Sequence, residues 1–299
     1  AVSWLMNADQ LYQLPMAVVG TALGVVLLPM LSRRVKEGDE KGALHAINRS
    51  LELSAVLTLP AAAAFIFMAG PICDALFRGF ATDALSLLGG GDSRFTAEDV
   101  EMTGWALAIY AWGLPAFVWQ RIFAPAFFAR EDTRAPMNYA LISIAVNTVL
   151  SIVLFPIFGF LAVAFATTLA AWVQVLQLAA ALWRRGQFRF DERLVKRTPP
   201  ILAATALLSA FVYGALFVRE PAAAYFFGRD WIVVVVIAIV GVVGYFTALL
   251  ALGGLKVSDY KAYARRRPTL DEDIERLKAK AGASPAVDGA TNKDEGGKS

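Results

Sequence analysis

Residues 136–183 read PMNYALISIAVNTVLSIVLFPIFGFLAVAFATTLAAWVQVLQLAAALW, and no charged side chain interrupts them. A helix that crosses a bilayer needs roughly 20 mainly apolar residues. The stretch therefore holds two such helices, 136–155 and 160–183, joined by a very short turn around Pro156 and Gly159. Two apolar helices with so little chain between them form a hairpin.

The same reading extends in both directions. Upstream it finds 2–31, interrupted by Pro15 and carrying Asp9, Gln10 and Gln13 in its first half, then 51–77 with Pro60 and Pro71 inside it, then 102–128. Downstream it finds 201–218 and 231–255, both rich in Val, Leu and Ala. Their length and lack of alternation favour helices, which satisfy their own backbone in lipid, and their uniform apolarity turns them toward lipid. The predicted fold is all-α: a polytopic membrane bundle of about seven transmembrane helices followed by a disordered cytoplasmic tail.

Composition agrees. Hydrophobic residues make up 58% and charged residues 18% of the 299, and the mean hydropathy is +0.55, well beyond what a soluble domain needs for its core. One cysteine, Cys73, and one histidine, His45, exclude an internal disulfide and a His-rich metal site. No Gly-rich phosphate loop, Walker sequence or His–carboxylate pair usable for catalysis is read from the sequence. An enzyme, a cofactor and a nucleic-acid partner are therefore not expected. The chain opens inside an apolar run with no initiator Met, and so reads as a fragment.

Orientation follows from Lys and Arg, which are retained on the cytoplasmic side. Alternate loops hold eighteen basic residues, including Arg33, Arg34, Arg130, Arg134, six between Arg184 and Arg197, and Arg265 to Arg267. The opposite set holds Arg78, Arg94, Arg219 and Arg229, with Asp83, Asp92, Glu98, Asp99 and Glu101 beside them. The chain is expected to begin on the periplasmic side of a bacterial inner membrane and end in the cytoplasm. The loop 184–197 either simply fixes this orientation or touches anionic headgroups. After Arg267 the tail reads as a solvated polar segment, the alternative being a short charged helix over 269–281 where Thr269 and Glu272 match a capping box.

Ionisable residues inside a membrane helix are expensive and become functional candidates. Asp9 has Gln13 one turn on, on the same helix face; either they line a polar cavity or Asp9 solvates the outer helix end. Arg121, among Trp119, Phe123 and Phe127, either receives a phosphate or snorkels toward headgroups. Asn147 and Ser151, with Thr167 and Thr168 across the hairpin, offer oxygen ligands for a small cation or act as interhelical hydrogen-bond glue. Prolines at 15, 29, 60, 71, 115 and 125 suit a bundle that bends.

Two blocks carry a resemblance: ADQLYQLP at 8–15 with GTALGVVLLPMLSR at 20–33, and QRIFAPAFFAREDTRAP at 120–136, separated by a helix with GP at 70–71 and LFRG at 76–79. In this order they resemble the MurJ/MviN lipid II flippases, over about residues 1–255. The resemblance implies a fourteen-helix transporter of the multidrug/oligosaccharidyl-lipid/polysaccharide exporter superfamily, built from two six-helix lobes and two further C-terminal helices. This chain would supply the C-terminal half. Residues 1–183 would form five helices of the second lobe, 184–255 a basic loop and the two extra helices, and 256–299 the tail.

Asp9 then matches a cavity-facing carboxylate and Arg121 a basic position, while Gln10 stands where the family often has arginine. The implied activity is flipping of a lipid-linked diphosphate glycan by alternating access. The implied partners are that substrate, membrane lipids and cell-wall synthesis proteins. The alternatives are an exporter of another lipid-linked glycan or a small organic cation, a membrane glycosyltransferase or acyltransferase, and a non-transporting scaffold.

Overall fold

Among the described residues seven long helices follow one another: α1 (Val2–Lys36), α2 (Glu40–Asp74), α3 (Ala97–Phe128), α4 (Arg134–Phe158), α5 (Leu161–Arg184), α6 (Glu192–Tyr225) and α7 (Asp230–Ala251). The computed structural model describes residues 2–83, 95–225 and 229–254. The tail, read as solvated or as a short helix over 269–281, and Asp92 and Arg94 of the long loop lie outside these residues. Among the described residues there is no strand.

Among the described residues six helices are long and apolar enough to cross a membrane; α3 is the exception. Its position explains why. α3 packs against α1, α2 and α5, and Gly104, Leu107, Tyr110, Gly113, Pro115 and Ile122 are buried along its length. A helix shielded by its neighbours does not need a lipid-compatible surface, so Tyr, Gly and Pro take buried positions that elsewhere carry Leu and Val, while Trp105 and Trp112 stand exposed. At the other extreme, α4 packs mainly on α5 and exposes Leu141, Ile144, Ile152 and Ile157. The α4–α5 hairpin thus covers one side of α3, and the α6–α7 pair covers α2.

Several helices outrun their expected spans because polar residues extend them beyond the apolar stretch. α2 begins at Glu40, where the Asp39 carboxylate accepts the Gly42 N–H at 2.8 Å as an N-cap. α3 begins with a capping box between Thr96 and Asp99. The Thr96 hydroxyl and N–H, with the Trp4 indole N–H, hold the Asp99 carboxyl below the usual carboxylate range. Pro156 lies inside α4 rather than in the turn; the hairpin closes at Gly159, with φ +55. The expected proline bending is visible in α2, where Met68, three residues before Pro71, has φ −112 and ψ 18. A π-helical segment, Ala75–Phe80, continues it. There Gly70 meets Gly104: a Cβ on Gly104 would come 3.1 Å from the Gly70 backbone, so only glycine allows α2 and α3 this close.

The α6–α7 pair is less lipid-facing than its sequence suggests. Ile201, Ala204, Leu208 and Val212 of α6 are buried, and the Tyr245 hydroxyl of α7 donates to the Val56 carbonyl of α2 at 2.9 Å. Ion pairs fasten the pair at both ends. Arg219 reaches Asp74 at 3.0 Å and Asp230 at 3.4 Å, while Arg197 and Arg193 reach Glu52 at 2.5 and 3.6 Å.

Candidate functional site

Asp9 and Gly20 are eleven residues apart on α1, as are Tyr110 and Arg121 on α3. Eleven residues are close to three helical turns, about 16 Å, so each pair shares a helix face. The packing of α1 on α3 brings the two faces together. Tyr12 stacks on Tyr110 at 4.9 Å and on Phe117 at 5.3 Å between ring centroids, both tyrosines being buried. One end of the seam is marked by Asp9, which is half-buried and accepts a hydrogen bond from the Gln13 amide. Tyr12 lies three residues on from Asp9, on the same face of α1. Gln10 is exposed.

The other end is marked by Arg121, half-buried and laid across Gly20. A Cβ there would stand 2.7 Å from Arg121 Cδ and 3.3 Å from its Nε. Glycine at 20 is therefore what lets the guanidinium lie along α1. Among the described residues no ion pair joins Asp9 to Arg121. The seam thus offers a carboxylate, an amide and phenol hydroxyls at one level and a guanidinium at another. Such a set matches a ligand with hydrogen-bonding sugar or peptide groups and a phosphate, and lacks the nucleophile–base contact of covalent catalysis.

The other candidates are hydrogen-bonded among themselves. Ser151 Oγ donates to Asn147 Oδ1 at 3.2 Å, and Asn147 Nδ2 donates to Thr167 Oγ1 at 3.1 Å. Thr168, about 100° further round α5, faces α3 instead of α4 and donates to the Ile109 carbonyl at 3.1 Å. Among the described residues no group of three His, Cys, Asp or Glu side chains could hold a metal.

A charged cluster that the sequence did not single out lies at the basic end of the bundle. The Glu52 side chain is 5% exposed and takes Arg49 at 2.6 Å, Arg197 at 2.5 Å and Arg193 at 3.6 Å. A lone acid at the edge of an apolar run was the available signal; its partners on α6 are not readable from spacing. Nearby, Asn48 Nδ2 donates to the Arg189 carbonyl at 2.9 Å and Asn48 Oδ1 accepts the Asp191 N–H at 3.3 Å. Arg185 binds Asp132 at 2.6 Å. That guanidinium and the Ala135 N–H hold the Asp132 carboxyl below its usual range.

A family model described as lipid II flippase MurJ matches residues 1–229. The probable lipid II flippase MurJ of Rhizobium meliloti is 44% identical over 217 residues, covering 72% of this chain and 38% of the relative. The corresponding protein of Vibrio cholerae is 27% identical over 266 residues, covering 88% and 47%. A solved structure of lipid II flippase MurJ in an inward closed conformation aligns with a TM-score of 0.60 at 21% identity, over 83% of this chain and 46% of that one, and so shares its fold. The chain spans less than half the length of these relatives. On the family match over most of its residues, the chain is a multi-pass membrane protein that belongs to the lipid II flippase MurJ family.

Proposed function

We propose that this chain provides one half of an alternating-access path that flips a lipid-linked diphosphate glycan, lipid II, across the bacterial cytoplasmic membrane. The observation that carries the reading is the α1–α3 seam. A diphosphate with a sugar-peptide head cannot cross hydrocarbon unaided, and the seam presents hydrogen-bonding groups around Asp9 and Tyr12 with Arg121 stationed against Gly20. Residues 1–183 act as the second lobe, rocking against a first lobe to open the path to one side of the membrane and then the other. The apolar faces of α6 and α7 form a groove along which the polyprenyl tail travels in lipid. The positive-inside asymmetry orients the start of α1 toward the periplasm and the α5–α6 loop toward the cytoplasm. Cell-wall synthesis proteins are the natural partners of this activity.

The test is a chimera. The segment of the Rhizobium meliloti relative that aligns with this chain is replaced by it, and growth is followed after depletion of the host's own lipid II flippase. The expected result is growth with the wild-type chimera and loss of growth with Asp9→Ala or Arg121→Ala at equal membrane expression. An inserted but inactive wild-type chimera refutes lipid II as the cargo. Full activity of both variants removes the seam from the path.

A further inference from the structure

The α5–α6 connection sorts its charges. Arg185, although exposed, is paired with Asp132 and lies over the Phe127 ring at 5.3 Å, and Asp191 is paired with the exposed His45 at 3.1 Å. Its backbone is fixed as well. Gly186, at φ +70, closes α5 with the bonds Gly186 N–H to Trp183 O and Gln187 N–H to Leu182 O, a Schellman motif. Phe188, 1% exposed, fills the core against Phe123 at 5.2 Å. Four further exposed side chains stand beside these pairs on the fixed backbone. Trp183 and Phe190 are 50% and 57% exposed and touch each other at 5.7 Å; Arg184 and Arg189, their sequence neighbours, are exposed.

We propose that Trp183, Arg184, Arg189 and Phe190 form a preorganised docking rim for anionic phospholipid headgroups. The inference is independent of the transported cargo. α5 and α6 are both long and apolar enough to cross a membrane, so the turn between them lies where hydrocarbon gives way to headgroups. Aromatic rings are at home at that depth, and two guanidiniums beside them complement lipid phosphates. A rim whose backbone is already held by Asn48, Gly186 and Phe188 is not ordered anew on binding, which favours affinity.

The test uses the full chain reconstituted in vesicles containing brominated phosphatidylglycerol or brominated phosphatidylcholine. The tryptophan quenching lost in Trp183→Phe isolates the Trp183 contribution. It is expected to be greater with the anionic lipid, with a preference that Arg184→Gln plus Arg189→Gln abolishes while helicity and melting temperature hold. Equal quenching by both lipids overturns the proposal, and so does a preference that survives the double substitution.

Discussion

Arg197 donates to the Glu52 carboxylate across 2.5 Å, although 145 residues separate them along the chain. The side chains are 11% and 5% exposed, so the pair is largely withdrawn from water. Removing one member of such a pair leaves a charge stranded, at about 3–5 kcal/mol, whereas replacing both by apolar groups costs much less. Glu52→Gln is therefore expected to lower the melting temperature of the purified protein clearly, and Glu52→Leu combined with Arg197→Leu to recover part of the loss. A Glu52→Gln variant as stable as wild type would show that the cluster does not fasten α6 to α2.

The Gly70–Gly104 contact makes a second prediction. Gly104→Ala places a methyl group 3.1 Å from backbone atoms that cannot rotate away, and is expected to destabilise the bundle by about 1–3 kcal/mol. Gly20→Ala meets a movable side chain instead. It should leave stability nearly unchanged while displacing Arg121, and in the chimera it should reduce flipping. Denaturation and growth measurements on the two variants separate these effects.

Asp132 ties the end of α5 to the α3–α4 turn outside the membrane. Its carboxyl is held below the usual range first by Arg185 and then by the Ala135 N–H. A depressed carboxylate contributes stability above its unfolded pKa of about 3.9 and loses it as pH falls through the lower folded value. Hydrogen exchange at residues 184–190 is thus expected to stay slow from neutral pH down to about 4 and to accelerate below. In Asp132→Asn it should be faster at neutral pH and lack this step.

The Asn147–Ser151–Thr167 chain joins α4 to α5 through two hydrogen bonds. Asn147→Ala is expected to cost about 0.6 kcal/mol, the average for such bonds in membrane helices, and to leave any dependence of flipping on sodium or potassium unchanged. A cation dependence that disappears in this variant would instead identify the chain as a cation site.

Much of this architecture was legible in the sequence for a simple reason: in lipid, a segment must satisfy its own backbone, so apolar length alone specifies helices. Each of the seven apolar runs holds a long helix, the last ending at Ala251 short of the expected 255. The hairpin of residues 136–183 closes at Gly159, where φ +55 suits glycine. Helix ends were less legible, since Asp39 and Thr96 cap α2 and α3 beyond their apolar stretches. Asp9, Gln13 and Arg121 stood out because charge and polarity are costly within such runs. That Arg121 lies on Gly20, or that Tyr12 stacks on Tyr110, depends on how α1 leans on α3.

The sequence by itself determined the helices, their number and the few polar residues among them, because hydrophobicity acts locally on each segment. Only the tertiary structure decided which polar groups meet. Glu52 acquires Arg193 and Arg197, Asn48 fixes the backbone of a loop beyond α5, and Thr168 serves α3 while its neighbour Thr167 serves α4. These partnerships depend on helix rotation and on close approach at glycines. In a largely apolar bundle such details are set by packing of the whole, not by the period of any one segment.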